Sequence, residues 1–223
     1  MKTKLRLPTA LATICLIVCG LALRCQAHSV WIEPLSDELV IRFGELDGNI
    51  EKSPGHLDEL SIPVSVAYVT NAPSVLAVTK KSNHFSLAGV TPTNVVCAES
   101  TYAVMTTPGN PGRRPIFYAR WQPPGSGPGV PLLTLDLVPT ATKGEVRVYF
   151  KGEPLPGIKA VLRTPDEREE EITANSEGLI RFTAEQVGQY HLSIARHREP
   201  LKGFFAGKEY GLTSHNAALT WIQ

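Results

Sequence analysis

Glu145-Val146-Arg147-Val148-Tyr149-Phe150, then Lys151-Gly152-Glu153-Pro154-Leu155-Pro156-Gly157, then Ile158-Lys159-Ala160-Val161-Leu162-Arg163 is the stretch that decides the fold. Val146 and Val148 alternate with charged neighbours, the period-2 pattern of a strand with one buried face. Two glycines and two prolines then break the chain, and a second β-rich run follows. Strand, turn, strand is an all-β unit, and the same grammar continues outward in both directions.

Towards the carboxyl terminus the strand candidates are Glu169–Ala174, Leu179–Thr183, Gly188–Arg196 and His215–Ile222, with Asn175-Ser176-Glu177-Gly178 as a turn. With Leu132–Val138 they make seven short strands over residues 132–223, the size of an immunoglobulin-like sandwich. The acidic run Asp166–Glu171 reads as a solvated hairpin. Upstream, Gln122-Pro123-Pro124-Gly125-Ser126-Gly127-Pro128-Gly129-Val130-Pro131 sustains neither a helix nor a strand, so a linker is expected at 123–131. Residues 28–122 then form a first β-sandwich. Its strands are Val30–Ile32, Glu38–Phe43, Ile62–Tyr68, Val75–Thr79, Val95–Ala98, Tyr102–Thr106 and Ile116–Trp121, with one helical turn over His56–Leu60. The fold class expected is all-β, two β-sandwich domains at 28–122 and 132–223. Trp31, Trp121 and Trp221 are expected in their cores.

Residues 1–27 stand apart. Lys2, Lys4 and Arg6 precede an apolar run from about Leu7 to Leu23 that ends at Cys25-Gln26-Ala27, the pattern of a signal peptide cut before His28. A cut after Ala22, with Gly20 at −3, is the alternative. Neither Cys19 nor Cys25 follows the small residue that lipid attachment prefers. The leader takes with it four of the 22 basic residues and none of the 21 acidic ones, leaving 18 against 21 and a net charge near −3. That balance excludes nucleic-acid binding by phosphate neutralisation. Mean hydropathy of −0.04 and the lack of a second long apolar run exclude a polytopic membrane protein. An exported, periplasmic protein with no membrane insertion after cleavage is expected. Cys97 is the only cysteine left, so no internal disulfide forms, and it reads as an inert buried thiol.

The cut makes His28 a first residue whose α-amine and imidazole Nδ1 can chelate one cation, and amine and imidazole nitrogens suit copper, nickel, cobalt or zinc. In the run Tyr190–His197, Leu192 and Ile194 are core residues, and alternation sends His191 and His197 to the other face. His197 ends that strand and His215 opens the last one. Glu33 and Glu199 read as surface ion-pair partners, the alternatives being an oxygen ligand to the ion or an acceptor that fixes the tautomer of a ligating imidazole. His56 and His84 read as solvated. No serine-hydrolase elbow, zinc-protease helix motif, Walker A loop or dinucleotide fingerprint occurs.

Gly144–Leu162, Asn175–Phe182 and Gly188–Ile194 resemble the prealbumin-like domains that occur as carboxypeptidase regulatory modules. Together with Ala27-His28-Ser29-Val30-Trp31-Ile32-Glu33-Pro34, they make the chain similar to a bacterial periplasmic family long filed as a domain of unknown function. That family is described as the periplasmic component of a cobalt or nickel uptake system. The resemblance implies two β-sandwiches, one divalent transition-metal ion (nickel, cobalt or copper, with zinc possible), and a membrane metal-uptake transporter as partner. It also implies recurrent histidines at the positions of His197 and His215. With His28 these form the expected metal set, a histidine brace if one of them joins the chelate. A copper-dependent oxidative enzyme and a site-free envelope scaffold are the alternative readings.

Overall fold

The computed structural model describes residues 28–46, 48–68 and 72–223; the signal-peptide reading falls outside them. The first half runs through β1 (Ser29–Leu35), β2 (Glu38–Gly44), a 3-10 turn at His56–Glu59, β3 (Val64–Tyr68), β4 (Pro73–Val75), β5 (Val78–Lys80), β6 (Phe85–Leu87), β7 (Val95–Thr101) and β8 (Arg113–Trp121). The second half runs through β9 (Leu135–Pro139), β10 (Glu145–Phe150), β11 (Glu153–Pro154), β12 (Lys159–Arg163), β13 (Glu169–Thr173) and β14 (Leu179–Arg181). It ends with β15 (Gln189–Glu199), β16 (Gly203–Phe205), β17 (Lys208–Tyr210) and β18 (Leu212–Ile222). The fold is all-β. Among the described residues no helix is long and apolar enough to cross a membrane.

Eight strands from both halves share one sheet in the order β13-β12-β15-β18-β8-β7-β3-β4. Its middle is the parallel pair β8 and β18, in register from Leu212 opposite Arg113 to Thr220 opposite Trp121. Alternation gives each strand two faces to bury. Phe117, Ala119 and Trp121 of β8 face a core closed by the small sheet β1-β2-β6-β5. Ile116 and Tyr118 face the other way, into a core with Ala217, Leu219, Leu192 and the strands β9, β10 and β14. Each half thus caps its own side of a sheet that both halves build. The Pro/Gly segment joins β8 to β9 and is strapped down: Gln122 Nε2 donates to Ser126 Oγ (2.6 Å) and Gly127 O (3.1 Å), and Arg120 Nη2 donates to Val130 O (2.9 Å).

Several local readings change. The expected strand Val75–Thr79 is two strands, because residues 76–77 carry the chain out of the large sheet and into the small one. β6 is new, a Phe-Ser-Leu run too short to show a period, with Phe85 and Leu87 both buried. The β16–β17 hairpin is also new, with Phe205 of that hairpin stacked on the Arg114 guanidinium (4.7 Å). The expected strand Tyr102–Thr106 reduces to single bridges at Tyr102 and Met105. Trp31 and Trp121 are buried as expected, and Trp221 packs partly buried against Tyr190 and Phe182.

Candidate functional site

His28 stands at the entry to β1, whose first residue Ser29 is opposite Gly44 of β2. The chain leaves β2 through a tight reversal that brings Glu51 back, its N–H bonding to Phe43 O (2.9 Å). Gly44 permits this: its φ is +149°, and a Cβ there would lie 2.2 Å from Asn49 O. The reversal sets Glu51 Oε1 2.6 Å from His28 Nε2. A carboxylate only accepts, so Nε2 carries a proton, and whenever the ring is neutral its lone pair lies on Nδ1, the ring nitrogen nearer the residue's own backbone. Phe43 packs against the ring in a tilted arrangement, 5.3 Å between centroids.

The second ring at this end is His56, 6.4 Å from His28 between centroids. Its loop is firmly built. Asp58 accepts from Ser53 Oγ (2.8 Å), Gly55 N (3.0 Å) and Lys80 Nζ (2.5 Å), and Lys80 first among them holds its carboxyl down at about 2. Leu57 is wholly buried and anchors the turn. Gly55 has φ +147°, and a Cβ there would meet Lys52 O at 2.9 Å. His56 Nδ1 lies 3.1 Å from the Tyr102 hydroxyl, whose pKa is raised by burial and then by Glu59 and Glu51, so the phenol stays neutral. His56 is exposed, as the sequence leads one to expect. Nothing local signals its meeting with His28, which is made by the Lys80 and Ser82 contacts of a distant loop.

His197 and His215 meet elsewhere. They are direct cross-strand partners of β15 and β18, with ring centroids 6.3 Å apart. The ladder slips between Ile194 and His197, an extra residue that leaves Arg196 at φ +59°. This bulge reverses the alternation, so His197 shares the face of Leu192 and Ile194, while His191 lies on the other face against Trp31. The expectation that His191 and His197 share a face is thereby corrected. Buried His215 has both nitrogens committed: Nε2 donates to Glu199 Oε2 (3.1 Å), and Nδ1 accepts from the Tyr118 hydroxyl (3.0 Å). Phe150 wedges against both rings, at 4.6 Å from His197 and 5.1 Å from His215. Burial holds both imidazoles below their usual pKa. Glu199, held low by Lys151 and then His215, is an ion-pair partner as read from sequence.

The three expected ligands are therefore not brought together. His28 packs through Phe43 onto Phe117, on one face of the large sheet; His215 packs on Tyr118, on the other. Among the described residues no group of three His, Cys, Asp or Glu side chains is disposed to hold an ion. Glu33 is committed to Arg42 (2.9 Å) and the Trp31 indole (2.7 Å). His84 is half-buried between Asn83 and Ser86 rather than solvated. Cys97 is buried and burial pushes its thiol up to about 12, an inert group as expected. A cleft of about 460 Å³ opens away from these histidines, between the Pro/Gly loop and Phe182, Leu219 and Trp221. No protein-family model matches the chain, and no curated protein matches it.

Proposed function

We propose that this is an exported protein, cut before His28, which binds one divalent transition-metal ion through the His28 α-amine and Nδ1. It holds that ion in the periplasm for a membrane uptake system. The observation that carries the reading is the 2.6 Å contact between Glu51 and His28 Nε2. It fixes the tautomer that chelation by a first-residue histidine requires, and a carboxylate behind a ligating imidazole raises its basicity. The amine supplies a second donor without a second side chain, which is compatible with the absence of a three-side-chain cluster among the described residues. The His28 side chain is 40% exposed, open to a partner that takes or delivers the ion. The chemistry is ligand exchange, with proton release from the amine as the ion enters.

The test is intact-mass measurement of the exported precursor under native conditions, after exposure to copper, nickel, cobalt or zinc in turn. A chain starting at His28 and retaining one ion is expected. One residue added ahead of His28 removes the free amine from the chelate and is expected to weaken retention at least as much as His28→Ala. Equal retention by the extended chain overturns the reading.

A further inference from the structure

We infer that His56 supplies the third nitrogen of this site, which makes it a copper centre; the inference rests on the His28 chelate proposed above. Two imidazoles bound on opposite sides of one ion, with metal–nitrogen bonds of about 2.0 Å, have ring centroids about 6.3 Å apart. His28 and His56 are separated by 6.4 Å before any ion is added. The tautomers agree with this use. Glu51 accepts a hydrogen bond from the Nε2–H of His28, and the Tyr102 hydroxyl can accept one from the Nδ1–H of His56, which leaves the lone pair of His56 on Nε2. Among the described residues no hydrogen bond engages His28 Nδ1 or His56 Nε2. The amine between two opposed imidazoles completes a T of three nitrogens, leaving further positions of a tetragonal shell to solvent. Tetragonal nitrogen donors favour Cu(II), and copper leads the divalent series at such sites.

The histidine pair on the other face has nearly the same ring separation and fails on chemistry. Both nitrogens of His215 are occupied, and Phe150 is wedged against the two rings. The loop carrying His56, by contrast, is built independently of its imidazole. Leu57, Asp58 and Lys80 hold it, so replacing His56 leaves the fold intact.

The experiment uses protein whose first residue is verified by mass as His28, titrated with Cu(II) against a competing chelator and examined by electron paramagnetic resonance. Wild type is expected to show three coupled nitrogens. His56→Ala is expected to lose one of them and at least about 100-fold in affinity, and Tyr102→Phe, which keeps the ligand but loses its orienting hydroxyl, about 10-fold. Unchanged affinity and an unchanged nitrogen count in His56→Ala overturn the role of His56 and leave the His28 chelate standing. A chain verified to begin at His28 that retains another of the four metals but no copper overturns the copper centre alone, and one that retains none of copper, nickel, cobalt and zinc overturns both.

Discussion

His191 and Arg120 show at residue scale what burial demands of a polar side chain. The His191 ring is enclosed between Trp31, Gln189 and Thr220. Burial first, with Arg163 adding to it and Glu33 opposing, lowers its pKa to about 4. The unfolded chain therefore takes up a proton as pH falls below about 6.5, whereas the folded chain refuses it until about pH 4. Stability from this group is complete above pH 6.5 and declines as pH falls through that window, by about 3 kcal/mol in all. Urea unfolding from pH 7 to pH 4 is expected to show the decline, and His191→Gln to flatten that part of it. Arg120 resolves the same problem by pairing. Its guanidinium, 1% exposed, meets Asp136 through two bonds of 2.9 and 2.6 Å, and Asp136 also accepts from the N–H groups of Leu132 and Leu133. Asp136→Ala strands a buried cation and is expected to cost about 3–5 kcal/mol by chemical denaturation. The double change Arg120→Met, Asp136→Leu is expected to cost less than Asp136→Ala alone.

At the scale of elements, the bulge in β15 is the feature on which the histidine geometry turns. Arg196 occupies the left-handed region at a residue with a Cβ, and its N–H is held by Asn216 Oδ1 at 2.9 Å. Arg196→Gly removes the steric penalty and is expected to raise stability by up to about 1 kcal/mol, while Arg196→Val lowers it by more. Thermal melts of the two variants give the comparison directly. The β10 and β12 strands could be read from Val146, Val148 and the Gly/Pro turn between them, because a half-buried strand writes its period into sequence. The bulge could not: Ile194-Ala195-Arg196-His197 contains no glycine to announce it, and only its register against β18 exposes the slip. His28 stands out in the sequence because a cut is expected before it, and His56 does not stand out. A single imidazole in a Ser-Pro-Gly-His turn looks like any exposed histidine until Lys80 and Ser82 position the turn. The expected partnership of His28 with His197 or His215 failed because face assignment across a shared sheet is a tertiary property.

For the whole molecule the decisive fact is that β8 and β18, from opposite halves of the chain, pair in parallel at the centre. Trp121 lies in one core and Trp221 borders the other. In the unaltered chain, amide-exchange probes from the two cores are expected to report the same urea midpoint, because loss of either core strips a face from the common sheet. Two separated midpoints would mean that the halves hold themselves together without each other. The central position of β18 also sets an order of events in time. Neither side of the large sheet can close until residues 212–222 have been synthesised, since β15 and β8 both lean on them and the β8 contact spans about a hundred residues of chain. A nascent chain of this design stays open while its earlier segments already exist. For a chain exported as proposed above, that delay keeps the polypeptide threadable, and its source is the placement of one strand.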